Sequence, residues 1–243
     1  MSINFNNFLG IDKFLPQCAS VNVNGKLYIS GGILPNKEAS DSFLLYDPSN
    51  ESLIALPKLN FARHSHSMIC HNGFIYFVGG NTNNVEKYEI SSQKFIKLYS
   101  MQSKQRFHPI LYVHKNFLYA FFGESLSSNE TTVERLNLKN VKSKWEYVSI
   151  QSVGVDISQM MSCSGILPVG ENQILFIGGK RTKSVTKEIV MFDFSNFSFN
   201  TWPNEMLNEE MYFGESLLIN LEEGKYGHFN LNKHNSFINL YHD

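Results

Sequence analysis

Four times along the chain an unbroken apolar run climbs to glycine: KLYISGG ending at Gly32, FIYFVGG at Gly80, FLYAFFGE at Glu124 and QILFIGGK at Lys180. A strand with one solvated face alternates apolar and polar side chains. FIYFV and FLYAFF do not alternate, so both of their faces must be covered. The glycines that close them suit places where the backbone needs a dihedral closed to other residues, or where another chain segment passes too near for a side chain. The first glycines are Gly31, Gly79, Gly123 and Gly178, at intervals of 48, 44 and 55 residues, and a weaker echo, EEGKYGHFNL, places Gly227 a further 49 residues on.

Each period supplies the other strands of a four-stranded unit. Ahead of each apolar run lies ASVNV, HSMICH, PILYVH or CSGILPV, joined to it by a short polar connection. Asn24-Gly25 and Asn72-Gly73 are tight hairpin signals, because both central residues of a type I′ turn need positive φ. After the glycines come FLLYDPSNESLIALP, VEKYEISSQKFIKLY, TVERLNLKNVKSKWEYVSI and EIVMFDFSNFSFNTWP, each readable as two strands around a polar turn. A period near 50 residues with four strands per unit predicts an all-β propeller, whose blades stack face to face and so cover their inner strands twice.

Composition agrees with a strand-rich globular chain. Of 243 residues, 20 are Phe and 11 Tyr, while charged residues make up only 18%. The formal net charge of -1 supplies no general field for nucleic acid or anionic membranes, and no apolar run is long enough for a membrane span. The N-terminal MSINFNNFLGIDKFLPQ lacks the flank and core of a secretory signal. Cys18, Cys70 and Cys163 are odd in number and without CxxC spacing, which predicts free thiols and a cytoplasmic location.

These residues resemble the kelch repeat family of β-propellers. The hallmarks of that family are a double glycine closing the second strand, an aromatic in the third and a Trp in the fourth. Gly31-Gly32, Gly79-Gly80 and Gly178-Gly179 match the first, Tyr46, Tyr88 and Phe192 the second, and Trp145 and Trp202 the third. The third unit departs with Gly123-Glu124, and Leu56 and Leu98 stand where Trp is expected. The WD dipeptide of another propeller repeat is missing, since Trp145 precedes Glu and Trp202 precedes Pro. The resemblance implies a kelch-type propeller of about five four-stranded blades in one domain, residues 1–243. Its repeats are clear over 15–205, and a degenerate closing blade combines 206–243 with 8–16. An incomplete copy of a larger propeller is the alternative.

No catalytic set is legible. His64 and His66 lie two apart and share a strand side, but no further ligands complete a metal site. GxSxG, HExxH and phosphate-cradling loops are absent from the sequence. The expectation is a chain that is not an enzyme and carries no cofactor or metal. In kelch propellers the loops from the last strand of one blade to the next blade, and from the second strand to the third, meet on one face where partners dock. Here that face is expected to gather Arg63, His64, Lys104, Arg106, Phe107, Lys180, Arg181 and Phe213. Arg gives charge-assisted bidentate bonds and aromatics give buried area, so an acidic or phosphorylated protein or peptide is the expected partner, within a larger assembly. Arg63 and Arg106 have a second reading, as structural groups bonded to backbone carbonyls at the blade entrance. A small-molecule or carbohydrate-binding or converting propeller enzyme is the alternative function.

Overall fold

The computed structural model describes residues 15–124, 132–157, 160–162, 164–181, 186–211, 217–222, 225–229 and 236–238. For 160–162, 180–181, 187 and everything beyond 201 it describes the backbone alone. Among the described residues there is no α-helix. Three antiparallel meanders of four strands follow one another: β1 (Ala19–Val23), β2 (Lys26–Ser30), β3 (Phe43–Asp47) and β4 (Ser52–Ala55); β5 (Ser67–His71), β6 (Phe74–Val78), β7 (Glu86–Glu89) and β8 (Lys94–Lys97); β9 (Ile110–His114), β10 (Phe117–Phe121), β11 (Val133–Asn137) and β12 (Glu146–Val148). The fourth sheet contains β15 (Gly165–Val169), β16 (Gln173–Ile177), β18 (Thr186–Asp193) and β19 (Ser198–Met211). It gains a fifth strand at its outer edge, β13 (Gln151–Val153), which runs parallel to the start of β19. β14 (Met160–Ser162) pairs with β17 (Lys180–Arg181), and β20 (Leu217–Glu222), β21 (Lys225–Phe229) and β22 (Ser236–Ile238) form a three-stranded sheet.

The Asn-Gly turns form as expected, with φ of 52° and 80° at Asn24 and Gly25 and of 49° and 78° at Asn72 and Gly73. First strands of successive blades lie beside one another, β1 against β5 and β5 against β9. The core is therefore a series of layers between blades. Tyr28 and Phe43 of blade one meet Ile75, Phe77 and Tyr88 of blade two. Tyr76, Val78 and Val85 on the other side of blade two meet Leu111, Leu118, Leu136 and Trp145 of blade three. Phe121, Phe122 and Val133 in turn meet Phe176, Phe192 and Phe199 of blade four. Successive residues of FIYFV thus enter opposite layers, which is why that strand has no polar alternation. Each such side chain contributes roughly 1.5–3 kcal/mol on full burial. Some of the rings meet edge to face, as Phe43 does with Phe77 at 5.2 Å and 85°, and others are tilted, as Phe122 is to Phe199 at 39°.

Each glycine of a pair has its own reason. A Cβ on the first would strike the entrance of the next blade: on Gly31 it would lie 2.3 Å from the Arg63 carbonyl oxygen, and on Gly79 2.5 Å from that of Arg106. A Cβ on the second would strike the entrance of its own blade, on Gly80 at 2.3 Å from the His64 oxygen and on Gly123 at 2.6 Å from Arg106 Cγ.

Register corrects two expectations. In blade three the pair is Phe122-Gly123 rather than Gly123-Glu124. Phe122 takes the first glycine's place at φ 48°, and its ring is buried against Phe176 and Phe199. The fourth-strand position opposite Tyr46, Tyr88 and Phe192 is held by Leu53, Phe95 and Phe199, not by Leu56, Leu98 or Trp202. Trp145 continues the register of β12 into the same place, opposite Leu136.

The expected boundary at 206 falls inside β19, which runs on without interruption to Met211. The part of the closing blade assigned to residues 8–14 lies outside the described residues.

Candidate functional site

Three segments lead into the first strands of blades one, two and three, and in them Gln17, Ser65 and His108 share a left-handed backbone, with φ of 59°, 54° and 51°. These residues are bonded in sequence. Ser65 N donates to the Gln17 carbonyl at 2.8 Å and His108 N to the Ser65 carbonyl at 2.6 Å. Glycine-pair segments extend the chain of bonds: Gly32 N donates to Arg63 O, Gly80 N to Arg106 O, and Phe107 and Glu124 exchange two bonds of 2.8 Å. His64 N donates to Asn81 Oδ1 at 3.0 Å. The described part of this face is therefore one hydrogen-bonded backbone network rather than a set of independent loops.

Below it sit two buried ion pairs. Arg63 Nη2 meets Glu86 Oε1 at 3.1 Å and Arg106 Nη2 meets Glu134 Oε1 at 2.9 Å, with all four side chains 0% exposed. Arg63 Nη1 also donates to the carbonyls of Phe77 and Asn84, and Arg106 Nη1 to those of Ala120, Phe122 and Thr132. Glu86 accepts from the main-chain and side-chain nitrogens of Asn60. Glu134 accepts from Gln102 N, Ser103 N and the Ser103 hydroxyl. Burial weakens the hold of Arg63 on its proton, and Glu86 opposes this. A guanidinium starts so far above neutrality that it stays charged.

The expectation that Arg63 and Arg106 reach a partner is thereby corrected. Each guanidinium is turned inward to main-chain carbonyls and a carboxylate, and no solvent reaches it. Their second reading, as groups bonded to carbonyls at the blade entrance, describes the geometry. Lys104 is exposed in the loop that leads into blade three. Lys180 and Arg181 lie in β17, with side chains outside the described residues, and Phe213 lies outside them altogether. Lys58 and Asp41 form an exposed ion pair at 3.0 Å between the loops that follow β4 and β2.

His64 and Phe107, also expected at the site, are brought together. Their rings stack with centroids 5.8 Å apart and planes 16° apart, and both are half-buried. His64 Nδ1 lies 3.1 Å from Gln17 Oε1 and 3.1 Å from Ser65 Oγ, and the Ser65 hydroxyl donates to the same Gln17 oxygen. Partial burial lowers the His64 pKa. His66, two residues on, is inside the blade junction with Nε2 2.7 Å from Ser30 Oγ. Its pKa is held well below the usual range, first by burial, then by the Arg63 cation, with His108 and His64 adding to it, so it is neutral. Among the described residues no group of three or more His, Cys, Asp or Glu side chains is placed to hold a metal ion.

Gln17, Ser65 and Asn81 were not singled out in the sequence. The available signal was positional: Gln17, Ser65 and His108 each precede the first strand of a blade by the same two residues.

Comparison with known proteins adds a motif and a fold. The Kelch motif matches residues 14–59, which are blade one and its approaches. Among solved structures, one titled "Structure of YjhT" superposes with a TM-score of 0.68 over 91% of this chain and 79% of that chain, at 14% sequence identity. No curated protein matches the chain.

Proposed function

Because this chain is a kelch-type β-propeller, we propose that it is a non-enzymatic binding module whose protein or peptide partner docks on the face built by Gln17, His64, Asn81, Lys104 and Phe107. One observation carries the reading. The entrance loops are bonded to each other from Gln17 to His108 and anchored from beneath by two buried ion pairs. A surface held this way loses little conformational freedom on binding, so more of the contact energy appears as affinity. The half-buried His64–Phe107 stack gives it a flat anchor, and Gln17, Ser65 and Asn81 supply polar groups beside that anchor.

Affinity capture tests the reading, comparing the native chain with the double variant His64→Ala, Phe107→Ala and with Lys115→Ala, Asn116→Ala at a hairpin of the opposite face. The proposal expects partners to be lost with the first variant and kept with the second, at matched melting temperatures. The reverse pattern would place the docking surface elsewhere. A second reading, a small-ligand or carbohydrate-binding propeller, is favoured by the hydroxyl and amide oxygen that hold a single imbedded imidazole, His64.

A further inference from the structure

His64 is positioned from every side. The amide of Gln17 comes from the entrance of blade one, Ser65 from its own loop, Asn81 from the turn after β6, and Phe107 from the entrance of blade three. These contacts dictate its proton. The Ser65 O–H donates to Gln17 Oε1, so neither that oxygen nor the Ser65 oxygen has a hydrogen left to offer the ring. With the Gln17 amide oxygen facing the ring, both are acceptors toward Nδ1, and the tautomer that satisfies them carries its hydrogen there. The other ring nitrogen, Nε2, then bears a bare lone pair.

We infer that His64 Nε2 is the specificity-determining acceptor of this face, and that it takes an uncharged O–H or N–H donor whose carbon skeleton packs against the Phe107 ring. This rests on the binding reading above and names the chemistry of its ligand. Arg63 and Arg106, which directly precede His64 and Phe107, are neutralised inside by Glu86 and Glu134, so neither of these guanidinium groups is offered to an anion. A bare imidazole lone pair repels an anion's oxygens and attracts a neutral donor. Such a donor is available both from a peptide and from a free sugar.

Ring-nitrogen NMR on the full chain tests the first half without any ligand. The expected result is a single Nδ1–H tautomer at His64 that becomes a mixture in Gln17→Ala. An Nε2–H tautomer in the native chain, meaning that the Gln17 amide presents its NH2 group instead, overturns the proposal. Titration with N-acetyl-tyrosinamide, methyl glucoside and inorganic phosphate tests the second half. Movement of the Nε2 resonance with the first supports a peptide donor, and movement with the second a sugar. A response to phosphate alone, or to none of the three, overturns the ligand class. Loss of partner capture in His64→Ala with the tautomer absent would leave the binding reading intact while removing this one.

Discussion

The Arg63 guanidinium and the Glu86 carboxylate meet at 3.1 Å with neither exposed to solvent, joining the loop that enters blade two to the third strand of the same blade. Arg106 and Glu134 repeat the arrangement one blade on at 2.9 Å. A buried pair of this kind adds little net stability over a well-packed apolar pair, because desolvation offsets the attraction. What it does here is position: the same guanidinium bonds carbonyls at the end of β6 and in the following loop, so the loop tip has one place to be.

Removing one partner of such a pair is costly. Arg63→Met leaves Glu86 buried with an uncompensated charge, and a loss of about 3–5 kcal/mol is expected from denaturant unfolding. Arg63→Met combined with Glu86→Leu is expected to cost clearly less than the sum of the two single changes. Additive costs would mean that the two groups do not act as a pair.

The glycine pairs separate crowding from backbone strain. Gly25 and Gly80 have similar φ, 80° and 88°, but a Cβ on Gly25 meets nothing within 4 Å whereas on Gly80 it lies 2.3 Å from the His64 oxygen. Gly25→Ala should cost on the order of 1 kcal/mol, the left-handed penalty alone. Gly80→Ala should cost several kcal/mol, since the whole loop must move. Thermal melts of both variants check this, and equal shifts would remove the close approach from the explanation.

Phe122 carries the opposite balance. Phe122→Gly relieves a left-handed strain of roughly 1–2 kcal/mol but deletes a ring that is 1% exposed, a loss of about 3–5 kcal/mol for phenylalanine truncation. Net destabilisation of about 2–3 kcal/mol is expected by chemical denaturation. A stabilised variant would mean that the ring contributes little to the layer between blades three and four.

The repeat, the doubly covered second strands and the crowded glycines were legible because they depend on local pattern, and a pattern repeated along one chain can be compared with itself. The fate of the arginines was not. A polar loop ordinarily exposes its cations, and the carboxylates that take Arg63 and Arg106 inside lie 23 and 28 residues further on, at the start of strands that read simply as VEKYE and VERLN. Blade one shows in retrospect what to look for: Leu15 stands where the arginine would be and Leu44 where the glutamate would be, so the two charges come and go together. The imidazole at 64 was legible as a site residue, but its partners were not, since Gln17 is 47 residues away and shares with Ser65 only its place before a first strand.

Acid should loosen the junction of blades one and two. The folded-state pKa of His66 lies well below its ordinary value of 6.5, so below that value the unfolded chain binds a proton that the folded chain refuses. Stability is full above about pH 6.5 and falls as pH drops toward the folded value, at up to about 1.4 kcal/mol per pH unit for this one proton. His64 and His114, also shifted down, act in the same direction. Unfolding measured between pH 7 and 5 should show this slope, reduced in His66→Gln. The same slope in that variant would assign it to other groups.

Hydrogen-exchange protection of the full chain, alone and bound to the partner recovered by capture, bears most directly on where this propeller binds. The account predicts new protection at 15–17, 62–66, 81 and 104–108, with the hairpins at Asn24-Gly25, Asn72-Gly73 and Lys115-Asn116 unchanged. Protection at those hairpins with none at the entrance loops would contradict it.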